Sequence, residues 1–364
     1  MANGSQSMDM YTLSNSTLTT AETFTAYKAA DIVNLYLPPT LIILGVFLNS
    51  LSVLVMRSPY FRKVSTSVYL TASSVNDVMG LVLALLPHWL FVNYPYVYSR
   101  GAVTDGLCKF FNFYGFSNTD VTLIITACMT ADRAYVIKFP LNVARVNTVR
   151  RAMYVIGVSV VIVMVKNCHL WFASAMTPPD RTERMCVVVT TGTVTWLSYY
   201  ITQVWPWIQS VFVLLCLVLI LISNIVIIIN VRRSAMMHFH DGGRRNAHTA
   251  DNDTPRRESG ASHSAATSGR LRHMTAMMLA ESFTTLLLSC PFSWYQQYSE
   301  KHPDIYGDPD KVATNRLLFS VLFYMLYSNK CVNFFLYLVS GHKFRLALTH
   351  LVQCACCSNN VSDT

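Results

Sequence analysis

Seven stretches of the chain stay apolar for long enough to cross a bilayer, which takes roughly 20 residues as a helix. They lie near Val33–Met56, Val64–Val92, Leu107–Ile137, Val149–Ala173, Trp196–Val231, Leu271–Tyr298 and Val312–Val339. Polar segments separate them, so the pattern predicts an all-α fold, a seven-transmembrane-helix bundle. The fifth stretch is longer than a bilayer needs and is predicted to project into water. Past the seventh, Phe344–Val352 reads as a short amphipathic helix lying on the membrane. The implied organisation is a polar tail over 1–31, the bundle over 32–341, and the amphipathic helix with its tail over 342–364. The loop 232–270 is rich in Ser, His, Gly and Arg, lacks apolar periodicity and is predicted to be disordered. The polar first residues imply no cleavable signal peptide, so the first helix is expected to insert as its own signal.

Composition agrees. Of 364 residues, 52% are hydrophobic and 13% charged, whereas a soluble domain carries about 25% charged residues. The net charge of +9 therefore does not imply nucleic acid as a partner. Basic residues instead fill alternate loops: Arg57, Arg62 and Lys63; Lys138, Arg145, Arg150 and Arg151; Arg232 to Arg272; then Lys343 and Arg345. By the positive-inside rule these loops face the cytoplasm and the N-terminus lies outside. Sequons at Asn3 and Asn15 fall in the tail predicted to be outside, where they would be glycosylated.

Several charges interrupt the apolar stretches: Asp77, Asp120, Glu281 and Lys330, the last flanked by Asn329 and Asn333. An ionised group at mid-membrane costs about 3 kcal/mol or more unless paired, so each is a candidate functional residue. Lys330 has three options: Asp77, Glu281, or snorkelling outward along the helix.

Order and spacing of short motifs carry a resemblance. Cys108 opens the third stretch, and "ADRAYVIKFPL" follows with Asp132 and Arg133 twenty-five residues on. Asn49 stands in the first stretch, Asp77 in the second, Pro291 in the sixth, and "NFFLY" places Asn333 and Tyr337 in the seventh, before Phe344. Over residues 30–350 the chain resembles rhodopsin-like G-protein-coupled receptors. The "NFFLY" and "GHKFR" ending looks most like invertebrate neuropeptide receptors of the FMRFamide-receptor type. It departs from the pattern at Ala134, at Ser289 in place of a helix 6 tryptophan, and at Phe334 in place of a helix 7 proline.

The resemblance implies roles. Asp132 would hold Arg133 at rest, and Arg133 would meet a G protein when helix 6 swings outward, with Pro291, Asn333 and Tyr337 in the same switch. Leu271 stands where some relatives carry an acid, so helix 6 is expected to be restrained by something else. Cys108 and Cys186 would form the disulfide that ties the second outer loop to helix 3. Cys354, Cys356 and Cys357 are candidate palmitoylation sites. In many relatives a sodium ion sits beside the helix 2 aspartate. Here that neighbourhood would be Asp77, Asn118, Thr122, Asn329 and Asn333, and the Lys330 ammonium is expected to take the sodium's place. Glu281 would compete for the lysine or bond to Tyr337. A retinal-binding lysine would stand at Tyr327, about one helical turn away, so an opsin is not the reading.

Phe116, Trp294, Tyr295, Phe323 and Tyr327 are the candidate ligand-pocket residues. Gly115 stands where amine receptors carry an aspartate, which argues for a peptide ligand. Ser259, after two arginines, is a candidate kinase site near the G-protein face. The reading is a non-enzymatic plasma-membrane receptor that needs no cofactor. Its expected partners are an extracellular peptide, a heterotrimeric G protein, arrestin and receptor kinases. A transporter using Asp77, Glu281 and Lys330 as a relay, and a receptor-like protein without coupling, are the alternatives.

Overall fold

The computed structural model describes residues 19–62, 64–94, 104–139, 148–176, 186–188, 195–248, 279–295, 298–299, 302, 305 and 307–359. Helix α1 spans Thr25–Met56. Helix α2 runs over Ser65–Gly80, a π-helical turn at Leu81–Leu85, and Leu86–Asn93. Helix α3 spans Asp105–Lys138, and α4 spans Val149–Asn167 with a last turn at His169–Ala173. Helix α5 consists of Thr195–Tyr199, a π-helical turn at Tyr200–Val204, and Trp205–His248. Residues 279–295 form α6, Pro309–Ser340 form α7 and His342–Asn359 form α8. Between α4 and α5, strands β1 (Ser174–Met176) and β2 (Cys186–Val188) pair antiparallel, with Met176 opposite Cys186.

Local chemistry explains the helix ends. The Thr104 hydroxyl accepts from the Leu107 N–H and caps α3, with Asp105 in the first turn to meet the helix dipole. Thr148 caps α4 in the same way, and Asp308 caps α7 ahead of Pro309. Both π-turns sit just before a proline, Pro87 in α2 and Pro206 in α5. Proline lacks an N–H and its ring crowds the carbonyl four residues back, and a widened turn absorbs both defects.

Four of these helices, Thr25–Met56, Ser65–Asn93, Val149–Ala173 and the Trp205–Arg233 part of α5, are long and apolar enough to cross a membrane. Helices α3 and α7 are equally long but carry the polar residues described below, which neighbouring helices cover. Large apolar side chains such as Ile43, Phe47, Val165, Leu215 and Ile222 point outward, as lipid-facing residues do. The main core lies towards α8, where Val55, Tyr69, Met129, Phe334, Tyr337 and Phe344 pack together. Phe334 turns its ring edge to Phe344 at 5.5 Å.

One expectation needs correction. Residues 232–248, predicted to be part of a disordered loop, continue α5 as helix. A helix already nucleated in the bundle adds each further residue at little cost, and Arg, Ala and Met favour it. Residues 249–270, with Ser259, lie outside the described residues, as do Asn3 and Asn15.

Candidate functional site

Mid-bundle, α7 turns Lys330 inward. Its ammonium lies 3.2 Å from Asp77 Oδ1 on α2 and donates to Thr122 Oγ1 on α3, also at 3.2 Å. Lysine and aspartate are 4% and 0% exposed, so there is no outward snorkelling. Asn333, one turn further along α7, donates to Asp77 Oδ2 at 3.2 Å. Asn49 of α1 donates to the Lys330 carbonyl at 2.7 Å and fixes the backbone of α7 there. The two charges cancel and both carboxylate oxygens accept hydrogen bonds, the condition under which a buried ion pair is tolerated.

Asn76, beside Asp77, joins the site although the sequence motif drew attention only to its neighbour. It donates to Thr122 Oγ1 at 2.8 Å and to the Asn118 carbonyl at 3.1 Å. Asn118 returns the contact, donating to Asn76 Oδ1 at 2.9 Å and to the Asn76 carbonyl at 2.7 Å. Asn118 thus binds Asn76. Gly80 leaves the space that the Asn118 amide fills, since a Cβ there would sit 2.1 Å from Asn118 Oδ1. Asn329, expected beside Asp77, turns instead to α6, where its amide reaches Thr285 Oγ1 at 3.4 Å. Helical geometry is the reason: Asn329 is adjacent to Lys330 in sequence and so lies about 100° around the helix from it.

Helix α6 is held by neutral contacts. Thr130 and Ser282 share a hydrogen bond at 3.0 Å, one α6 residue from Glu281. Glu281 is buried and faces Tyr337, yet Oε2 and the tyrosine hydroxyl stop short of hydrogen-bond geometry with any described group. Lys330 is engaged with Asp77 rather than Glu281. Pro291 lies in the half-buried outer part of α6.

At the α8 end, Asp132 forms its ion pair with Arg151 of α4 at 3.8 Å. Arg133 donates to Ser65 Oγ at the start of α2 at 3.0 Å. Asp132 and Arg133 thus each make their direct contact with a different neighbouring helix, and the two charges stay close enough to attract one another.

A second buried ion pair was not foreseen. Lys166 of α4 lies 2.9 Å from Asp120 of α3. Asn167 and Gln209 donate to the two Asp120 oxygens, each at 2.9 Å. Lys166 also donates to Asn167 and Gln209 and sits 4.9 Å from the centre of the Phe212 ring. The signal in the sequence was a lone lysine in an apolar stretch, the same signal that marked Lys330.

Towards the hairpin end, the aromatic candidates divide. Phe323 packs against Tyr327 at 4.9 Å, Phe292 at 5.5 Å and His88 at 4.6 Å. The Tyr295 hydroxyl donates to Asn315 Oδ1 at 2.6 Å. Phe116 meets Trp205 edge-on at 5.2 Å. Trp294, expected in the pocket, is 76% exposed on the outer face of α6 while Tyr295 takes the inward position. An outward tryptophan near a helix end belongs to the interfacial belt. Cys108 is buried in the first turn of α3, and β2, which begins at Cys186, packs on that helix. Cys354, Cys356 and Cys357 fall in the last turns of α8.

A helical membrane bundle with charges paired across its centre and an arginine tucked at one end of α3 defines a class of multi-pass membrane receptor. The family model for the 7 transmembrane receptor (rhodopsin family) matches residues 49–337, and the chain belongs to that family.

Proposed function

We propose that this receptor sits in the plasma membrane with its N-terminus outside, binds a neuropeptide there and activates a heterotrimeric G protein inside, with arrestin and receptor kinases acting afterwards. The observation that carries the reading is Arg133. It is buried at the α8 end of α3, and among the described residues its hydrogen bond goes to the neutral Ser65, so it is a charge held in reserve. Ligand binding would favour a state in which it turns to the G protein. The peptide preference rests on Gly115, which offers no countercharge to an amine, and on the aromatic cluster around Phe323 and Tyr327.

The disulfide is proposed between Cys108 and Cys186. Cys108 is buried in the first turn of α3, and β2 begins at Cys186 against the same helix. Glycosylation at Asn3 and Asn15 and palmitoylation at Cys354, Cys356 and Cys357 complete the proposal. The Lys330 ammonium is proposed to fill the site that a sodium ion occupies in many relatives.

The test is a panel of amidated neuropeptides applied to cells expressing the receptor, read by a broad G-protein activation assay beside Arg133→Ala and mock controls. A saturable response that Arg133→Ala loses, with surface expression unchanged, is expected. Silence with confirmed surface expression counts against the reading and makes ion flux the next measurement. For an active peptide, replacing sodium by choline is expected to leave affinity unchanged within about twofold, far below the 5–150-fold of ordinary allosteric coupling. A larger change would remove Lys330 from the sodium role.

A further inference from the structure

Among the described residues, Glu281 is the one buried acid of the bundle core that the network above leaves without a cation. Asp77 has Lys330, Asp120 has Lys166 and Asp132 has Arg151. Glu281 is 1% exposed, makes no ion pair among the described residues, and its Oε2 accepts no hydrogen bond from them.

Among the described residues, its surroundings offer no charge to balance it. From α7, Tyr337 faces it, fully buried, with an unpartnered hydroxyl. From α2, the Asp77 carboxylate is close enough to repel a second negative charge, and Lys330 is already committed to that carboxylate and to Thr122. From α3 the neighbour of Ser282 is the neutral Thr130, while Arg133 is directed away to Ser65. An ionised carboxylate in such a place has lost its water and gained no countercharge, and the usual resolution is to become neutral.

We infer that Glu281 is a proton-binding site, filled while α6 lies against α7 and emptied when the two helices part. On parting, water reaches the carboxyl and accepts its proton as hydronium, leaving a solvated carboxylate. No other bond changes. The closed bundle therefore holds one proton more than the open one. Linkage gives the sign: acid favours the closed state, and rising pH favours opening by at most about tenfold per pH unit for a single proton.

The test uses the purified full chain in lipid nanodiscs, without ligand or G protein, so it stands or falls separately from the receptor reading. Infrared spectroscopy at neutral pH is expected to show the carbonyl stretch of a protonated carboxyl, which Glu281→Gln removes. Thermal unfolding of the parent is expected to lose stability relative to Glu281→Gln as pH rises from about 6 to about 8.5, because only the parent must give up its proton. A carbonyl band absent from the parent, a band that survives the substitution, or parallel pH profiles would overturn the proposal. Should the glutamine variant not fold, Glu281→Asp keeps a carboxyl in a different place, and a band that does not shift in that variant overturns it equally.

Discussion

Lys330 interrupts an apolar stretch, and that alone marked it in the sequence. The resemblance put it near Asp77 and Thr122, whereas the apolar pattern alone left Glu281 and snorkelling open, because three helices must converge before any such distance exists. The same holds more sharply for Lys166, whose partner Asp120 also stood out as an isolated acid. Each half of that pair was visible, but no local pattern joins them. Lys330→Met is expected to lower stability by about 3–5 kcal/mol, since it strands Asp77 without a cation. Asp77→Asn should be comparably harmful, and the double variant Lys330→Met/Asp77→Asn should recover most of the loss. Thermal unfolding in nanodiscs provides the cycle. Additive losses in the double variant would mean that the two residues stabilise the bundle independently.

The helices themselves were the most readable level, because apolar runs mark them directly. The π-turns ahead of Pro87 and Pro206 came from the structure. Leu271, the ground for expecting no charged restraint on helix 6, lies outside the described residues; in the described part of α6, Thr130 bonds with Ser282 and Asn329 with Thr285. Such neutral hydrogen bonds contribute about 0.5–1.5 kcal/mol each. Ser282→Ala is therefore expected to raise ligand-free G-protein activation by about 2–10-fold, normalised to surface expression. Basal signalling equal to the parent's would show that the Thr130–Ser282 bond does not restrain α6.

For the molecule as a whole, family and architecture were legible from motif order across the seven apolar stretches, while the pairing of Asp120 with Lys166 had to come from the fold. That pairing has a consequence for how the receptor is made. Helices leave the ribosome in sequence, so α3 carries Asp120 into the bilayer before α4 brings Lys166. A translation product halted after α3 is expected to insert that helix less efficiently than one halted after α4, and Asp120→Asn should erase the difference. Engineered glycosylation sites in microsomes would measure it, and equal insertion of the two products would refute the idea. Asp77 waits longer still, because Lys330 follows it by 253 residues. Until the last transmembrane helix arrives, the nascent chain is electrically unfinished, and the cell's quality control has a simple mark by which to retain an incomplete copy.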